Sequence, residues 1–343
     1  MSGIIQGALG GGRALLVGWF LPSLINLLIF GFVVVPEVSG FQALARSGEG
    51  GQAARAALFA LVGTAVLGLA LGALQTPLYR ILEGYLGWPE RLVVASRRRQ
   101  LRHKHLLRNR LDAASLVLRA RAGPLPDADT QVLKAFRTHP VTSRFVDADA
   151  RKGPVWLSLL DERLHRYPVA DSQVTATRLG NAIRRFEEYG FDRFRLDSQV
   201  LWHELNGVVP DPVRKQAEDA RTNVDFFVCL LYGHLLVAVA ACVDLGLGHP
   251  ARPGLLVTAI VALPLLAIVW YRVAVAATDD WAGAVRALVN LGRLPLATSV
   301  GLVLPKSLDD ERIMWARFGA LATGPFRPEM TAGLSEFRRA PDQ

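Results

Sequence analysis

The stretch FFVCLLYGHLLVAVAACV, at residues 226–243, contains no charged side chain and is long enough to form one membrane-crossing helix. An α-helix rises about 1.5 Å per residue, so about 20 apolar residues cross the roughly 30 Å of hydrocarbon in a bilayer. Three further uncharged apolar stretches have similar lengths, at residues 14–36, 56–79 and 253–271. The sequence therefore predicts an all-α protein with four transmembrane helices.

The four apolar stretches form two pairs, and a long polar region that is rich in arginine separates them. Apolar residues in this region recur at helical spacing without a clear alternating β pattern, so we expect a helical domain. The predicted organisation is an N-terminal helix pair at 1–88, a basic domain at 89–222, a C-terminal helix pair at 223–277 and an amphipathic helical tail at 278–343.

The charge distribution predicts the orientation in the membrane. Residues 91–110 contain many arginines and no acidic residue, and such segments are retained on the cytoplasmic side. We therefore expect the middle domain and both termini in the cytoplasm, with the segments 37–55 and 244–252 facing outward. The first apolar stretch is too long for a typical signal-peptide core and lacks a convincing cleavage site, so we expect it to be retained.

The basic run after the second span predicts a contact with anionic lipid headgroups. Each Lys or Arg near such a surface contributes about 1 kcal/mol of attraction. A nucleic-acid partner is not expected, because the run has few interleaved aromatic residues and no nucleic-acid-binding module accompanies it. The predicted headgroup contacts are Arg97, Arg98, Arg99, Arg102 and Lys104.

Polar residues inside the apolar stretches are the candidate pore-lining residues, because polar groups within a membrane span commonly mark a functional path. For the histidine among them, the alternative is a neutral side chain that only bonds a neighbouring helix. The candidates are Ser23, Asn26, Thr64, Gln75 and His234.

Asn223 and Asp225 lie at the predicted inner mouth of the third span. Asp225 is a candidate lining residue of a cation path, and it is also four residues from Arg221, a spacing at which oppositely charged side chains meet on a helix. We favour this ion pair over the open carboxylate.

No catalytic, metal-binding or cofactor-binding motif is found. The segment Trp202-His203-Glu204-Leu205 begins like a zinc-protease helix, but Gly207 stands where the second histidine is required. Cys229 and Cys242 are about 20 Å apart along one helix and cannot form a disulfide with each other.

Three groups of residues carry a family resemblance: LEGY at 82–85; TRLGN at 177–181 with EYGFD at 188–192; and Leu304-Pro305 with Glu311-Arg312 and Trp315. Together they resemble a group of uncharacterised, mostly actinobacterial, integral membrane proteins with two pairs of spans around a cytoplasmic domain. The resemblance implies a bacterial plasma-membrane protein and brings no known activity.

Two functions are compatible with this organisation. One is an oligomeric channel in which copies of the chain form a ring and the cytoplasmic domain gates the path. The other is a membrane anchor or scaffold that recruits a soluble cytoplasmic protein through the middle domain. A membrane enzyme is a third class, but the clustered acids or metal ligands that it needs are not evident in the sequence.

Overall fold

A computed structural model provides the fold and describes residues 12, 14–35, 50–247, 252–325, 328 and 333–338. Residues 36–49 and 248–251, which hold parts of the two predicted outer segments, lie outside this description. Within the described residues the chain is helical, and extended residues pair only in one isolated bridge between Leu302 and Arg338.

The helices are numbered in chain order, and a π-helical turn at Leu16–Phe20 leads into the first of them. They are α1 (Leu21–Val33), α2 (Gly50–Ala73), α3 (Gln75–Glu83), α4 (Glu90–Ala122), α5 (Asp127–Thr138), α6 (Ser143–Arg151), α7 (Pro154–His165), α8 (Arg178–Glu187), α9 (Tyr189–Phe194), α10 (Trp202–Val208), α11 (Asp211–Leu247), α12 (Pro253–Ser299) and α13 (Leu308–Thr323).

The chain divides into two compact units. The membrane unit contains the described residues up to Tyr79 together with His203–Ser299. The polar unit contains Arg80–Trp202 together with the described residues from Val300 onward. The two units are defined by which residues pack together, whereas the predicted domains are defined by their placement relative to a membrane. The predicted domain boundaries therefore stay a prediction.

Three helical segments are long and apolar enough to cross a membrane: Leu16–Val33, α11 and α12. A fourth is present if Ala60–Ala73 and α3, which meet at an angle of 59°, count as one broken span. We expected the helix of the second apolar stretch, at 56–79, to run on past Gln75 and Pro77. Pro77 has no N–H to donate to the carbonyl of Ala73, one turn earlier, and this explains the break at Leu74.

Helices α11 and α12 form a hairpin that is longer than a bilayer is thick. Their 37 and 47 residues correspond to about 55 and 70 Å of helix. As predicted, α11 begins at Asp211 and continues without a break into the apolar stretch. Helix α12 continues unbroken from the fourth apolar stretch into the predicted tail region and ends at Ser299.

Close contacts fix the direction of the first two helices against the hairpin. A Cβ at Gly18 would lie 3.3 Å from the Asp225 Cβ, and Ser23 lies beside Cys229, so α1 runs in the same direction as α11. Helix α2 runs the opposite way along α1, with Gly68 against Phe20 and Gly63 against Leu27.

The polar unit is organised around α4, against which α5, α6 and α7 pack. The buried face of α4 supplies Ala113, Ala114 and Val117 to one apolar cluster and Leu107 to a second. The exposed face carries most of its arginines. The long basic helix is therefore amphipathic and forms the centre of the polar unit.

One buried carboxylate joins three helices of the polar unit. Asp149 of α6 is 1% exposed and accepts hydrogen bonds from Arg110 Nε at 2.7 Å, Arg110 Nη2 at 2.9 Å and Trp156 Nε1 at 2.8 Å. Burial by itself raises the pKa of the Asp149 carboxyl, but the hydrogen bonds from Arg110 and Trp156 outweigh it and hold the pKa below its usual value.

The stretches that carry the family resemblance meet within the polar unit. Gly84 has a φ of +88° and lies against Ala176, while a Cβ at Gly180 would be 2.6 Å from the carbonyl oxygen of Glu83. Arg312 of α13 donates to the carbonyl oxygens of Asp192 and Arg193. These residues thus form the joints between segments that are distant in the sequence.

Replacing Asp149 by asparagine tests the buried ion pair. Asp149→Asn leaves the Arg110 guanidinium without a counter-charge, so we expect a loss of about 3 kcal/mol of stability at pH 7. A lowered carboxyl pKa stabilises the fold above the unfolded-state pKa, and this contribution is lost as the pH falls through the folded-state pKa. The difference between the variant and the wild type should therefore shrink as the pH drops below about 4.

Thermal unfolding of the detergent-solubilised protein, followed across pH, measures this difference. The matched control is Asp147→Asn, which removes an exposed pair with Arg137 and should change stability by less than about 1 kcal/mol. Equal effects of the two substitutions would contradict the assignment.

Replacing Gly180 by alanine tests the joint between α8 and Glu83. The added methyl group has no room beside the Glu83 carbonyl, so we expect a loss of about 1–3 kcal/mol in thermal unfolding. Gly319→Ala is the control, because Gly319 is also helical and nothing lies near its Cβ position. It should leave stability unchanged or raise it, and a similar loss at both positions would refute the joint.

Candidate functional site: a buried polar network in the membrane unit

The candidate site lies where α1 approaches α11 most closely. A Cβ at Gly233 would overlap the side-chain amide of Asn26, so only glycine allows this approach. Polar side chains that reach the interface are consequently enclosed within the helices of one chain, and they bond one another there.

At one end of the network, the carboxylate of Asp225 is bound by two side chains of α3. Gln75 Nε2 donates to Asp225 Oδ1 at 2.9 Å, and the Tyr79 hydroxyl donates to the same oxygen at 2.7 Å. The expected ion pair with Arg221 does not form, because the Arg221 guanidinium lies over the ring of Trp281, 5.9 Å from its centroid. Gln75 and Tyr79 of α3 bind the Asp225 carboxylate instead of Arg221.

One helical turn further along α11, Cys229 meets two residues of the first apolar segment. Its thiol lies 3.5 Å from the Ser23 hydroxyl and donates to the carbonyl oxygen of Trp19 at 3.6 Å. The side chains of Cys229 and Ser23 are both fully buried. This contact continues the polar interior from Asp225 towards the centre of α11.

The network ends at His234, whose two ring nitrogens bond side chains from two other helices. Trp270 Nε1 of α12 donates to His234 Nε2 at 3.4 Å, which leaves the proton of the neutral ring on Nδ1. His234 Nδ1 then donates to Asn26 Oδ1 at 2.7 Å. The Asn26 amide nitrogen in turn donates to the carbonyl oxygens of Pro22 and Cys229.

Beyond His234 the interior of the bundle changes from polar to apolar. A buried cluster with no polar side chain fills the space between α1, α11 and α12. Its members are Val33, Val237, Ala238, Ala241, Leu256, Ala259 and Leu263. About 14 Å of α11 separates Asp225 from His234, which is about half of the roughly 30 Å thickness of a bilayer's hydrocarbon core.

The predicted pore-lining residues are therefore mostly interior residues of one chain. Ser23, Asn26, Thr64 and His234 are all buried, and Gln75 is half-buried. The Thr64 hydroxyl is buried without a hydrogen-bond partner among the described residues. A path lined by these residues would pass through a single bundle rather than along an axis shared by several chains.

Sequence reasoning missed three members of the network: Tyr79, Cys229 and Trp270. Spacing offered a signal for two of them, since Tyr79 is four residues from Gln75 and Cys229 is four from Asp225. Trp270 gave only the general signal that a buried indole N–H needs an acceptor. Asn223, which we expected at the inner mouth beside Asp225, is exposed and forms no hydrogen bond with the described residues of the network.

Two of the five predicted headgroup contacts are used inside the polar unit. Lys104 is 1% exposed, and its ammonium donates to the carbonyl oxygen of Val169 at 2.8 Å and to Asp171 Oδ1 at 2.7 Å. Arg97 donates to the carbonyl oxygens of Val174 and Ser172. For these two residues the prediction is corrected, because their charges already bind the segment after α7.

Comparison with family models, curated proteins and solved structures gives no match for the chain. Among the described residues, no three His, Cys, Asp or Glu side chains are grouped so that they could hold a metal ion. The proposed function therefore rests on the arrangement of the polar network.

Replacing Gly233 by alanine tests the helix approach that encloses the network. The new methyl group would displace the Asn26 amide, and we expect a loss of about 1–3 kcal/mol in thermal unfolding. In an Asn26→Ala background the overlap is absent, so the same substitution should cost much less. Gly246→Ala, with open space around its Cβ position, is the control. Additive effects of the Gly233 and Asn26 substitutions would contradict the contact.

Proposed function

We propose that the protein is a proton-conducting membrane protein whose path runs through the interior of each chain and is closed in this structure. The observation that carries the proposal is the buried ladder of polar groups from Asp225 through Cys229 and Asn26 to His234. Ionisable side chains within a membrane bundle are costly, and they commonly belong to ion or proton pathways.

The proton is the species that this ladder suits best. Its members are hydroxyl, thiol, amide, imidazole and carboxylate groups enclosed one after another along α11. Hydrogen bonds join Tyr79 to Asp225 and Ser23 to the Cys229 thiol, and Asn26 bonds both the Cys229 carbonyl and His234. One helical turn of α11 separates Asp225 from Cys229. A calcium or magnesium ion takes six or more oxygen ligands around one point, whereas a proton needs only neighbouring donors and acceptors. Asp225 and His234 can each bind and release a proton, and they stand at the two ends of the ladder.

The apolar cluster supplies the closed gate in this proposal. A constriction lined only by side chains such as Val237, Ala241 and Leu256 excludes water, and channels are gated by such dewetting. Conduction then requires α1 to move away from α11 and α12 in this half of the bundle.

Protonation of His234 provides a physical reason for such a movement. The charged ring carries N–H donors on both nitrogens, so Nε2 can no longer accept from the Trp270 indole. The described groups that bond its ring are Asn26 from α1, Trp270 from α12 and the backbone of Leu230 one turn earlier on α11, and all three are uncharged. Losing the Trp270 bond loosens α12 from α11 at the border of the apolar cluster.

A membrane anchor that recruits a soluble partner is the second candidate. One observation in favour of an anchor is that apolar side chains close one half of the bundle. The other is that most network groups hydrogen-bond one another, as they would in a purely structural core. In either case, placement in a bacterial plasma membrane, cytoplasmic termini and assembly into homo-oligomers belong to the proposal.

Proton flux into liposomes that contain the purified protein distinguishes the two functions. Val237→Thr preserves the shape of a buried gate residue but adds a hydroxyl, so we expect it to raise the flux several-fold by admitting water. Asp225→Asn can still accept from Gln75 and Tyr79 but cannot carry a proton, and it should reduce the flux to that of protein-free vesicles.

Matched controls exist on the same helix. Val239 is exposed on the outer face of α11, so Val239→Thr should leave the flux unchanged. Glu218→Gln removes an exposed acid and should also have no effect. If the wild type and Val237→Thr both conduct no better than empty vesicles, conduction is refuted and the anchor is favoured.

A further inference from the structure

The beginning of α4 and the turn before it form an exposed surface that is both apolar and basic. Leu92 is 54% exposed and Tyr85 is 58% exposed, and Leu86, Val94 and Trp88 are 46%, 42% and 37% exposed. Four exposed arginines accompany them: Arg91, Arg98, Arg99 and Arg102. We name this set, from Tyr85 to Arg102, the arginine–aromatic surface.

Helical spacing places the apolar and basic side chains on the same side of α4. Arg91, Val94, Arg98 and Arg102 follow one another at three- and four-residue steps, which puts them on one stripe of a helix. Leu92 and Arg99 form the adjacent stripe. The surface is therefore continuous and has apolar side chains at its beginning and guanidinium groups further along.

No ion pair within the described part of the chain compensates the arginines of this surface, and Glu90 is the one acidic residue between Tyr85 and Arg102. Arg91, Arg98, Arg99 and Arg102 form no ion pair there, and no acidic residue occurs between positions 91 and 110. The inward-facing cations of α4 behave differently, since Lys104 pairs with Asp171 and Arg110 with Asp149. The internal pairs thus leave a face whose charge is available to an outside partner.

We propose that the arginine–aromatic surface binds the headgroup region of an anionic bilayer. Tryptophan and tyrosine favour the boundary between hydrocarbon and headgroups, and exposed leucine and valine gain from entering it. Arginine forms bidentate hydrogen bonds with phosphate groups, which lie at the same depth. The surface thus combines the three kinds of side chain that an anionic membrane surface accommodates.

A nucleic acid presents the same phosphate chemistry but fits the surface less well. Its backbone is flanked by sugars and water, so exposed Leu92 and Val94 would gain nothing there, whereas a membrane buries them. The described structure offers no stacking platform of several aromatic residues beside the arginines. The membrane is therefore the partner that accounts for both the apolar and the basic residues.

Quenching of Trp88 fluorescence by brominated acyl chains tests this proposal with the full-length protein in nanodiscs. The contribution of Trp88 is obtained as the difference between the wild type and Trp88→Phe. We expect stronger quenching in discs that contain phosphatidylglycerol than in discs of phosphatidylcholine alone. The triple variant Arg98→Glu, Arg99→Glu, Arg102→Glu should remove the increment, because each arginine near the surface is worth about a fivefold change in partitioning.

A second triple variant controls for the change of net charge. Arg144, Arg151 and Arg193 are exposed arginines elsewhere in the polar unit, and their replacement by glutamate should leave Trp88 quenching unchanged. The experiment involves no ion flux, so its outcome is independent of the proposed conduction.

Two results would overturn the proposal. One is Trp88 quenching that is equal in both lipid compositions and unaffected by the arginine substitutions. The other is quenching without lipid dependence, together with binding of single-stranded RNA in phosphatidylcholine discs that the first triple variant abolishes, which would assign the surface to nucleic acid.

Discussion

Polar side chains that are enclosed between apolar helices have to bond one another, because neither lipid nor the surrounding apolar side chains offer a partner. In the membrane unit this constraint is met where Gly18 and Gly233 let α1 and α11 approach closely. The hydrogen bonds of Asp225, Asn26 and His234 follow from that approach. The bonds of the network join α11 to α3, to α1 and to α12, so the network fixes which helix faces meet.

The same constraint gives the bundle two unlike halves. Between Asp225 and His234 the interior holds donors and acceptors, whereas beyond His234 the described buried side chains form an apolar cluster. A continuous polar interior would describe an open pore, and a wholly apolar one would describe a simple anchor. The proposal of a closed proton path depends on this change from a polar to an apolar interior at His234. At that point the histidine hydrogen-bonds Asn26 of α1 and Trp270 of α12.

The sequence was informative where one segment decides its own structure. Apolar length predicted the spanning segments, and the Asp211-Pro212 pair marked the start of α11. Prediction failed where the partner is distant in the chain. Arg97 and Lys104 belong to the same basic run as Arg98, and only their positions on α4, seven residues apart on the side next to the segment after α7, direct their charges to that segment.

In the candidate site, too, single residues were predictable from the local sequence but their distant partners were not. The polar residues in the apolar stretches were recognisable from hydropathy, because each is an exception in an otherwise uncharged segment. Their partners were not, since pairing Asp225 with Tyr79 requires the break at Leu74, and pairing His234 with Trp270 requires the register of a long hairpin. Local spacing favoured Arg221 as the partner of Asp225, but cation–π contact with Trp281 holds that arginine elsewhere.

The central claim is that lipid surrounds the apolar faces of the membrane unit, and spin labels on α11 test it most directly. With the native cysteines replaced by alanine, one label is placed at Val239, which is 61% exposed, and another at the exposed Lys215. In liposomes, the account predicts that oxygen relaxes the Val239 label strongly while a water-soluble nickel complex does not reach it, and that the Lys215 label shows the reverse. A Val239 label that the nickel complex reaches as readily as Lys215 would contradict the account.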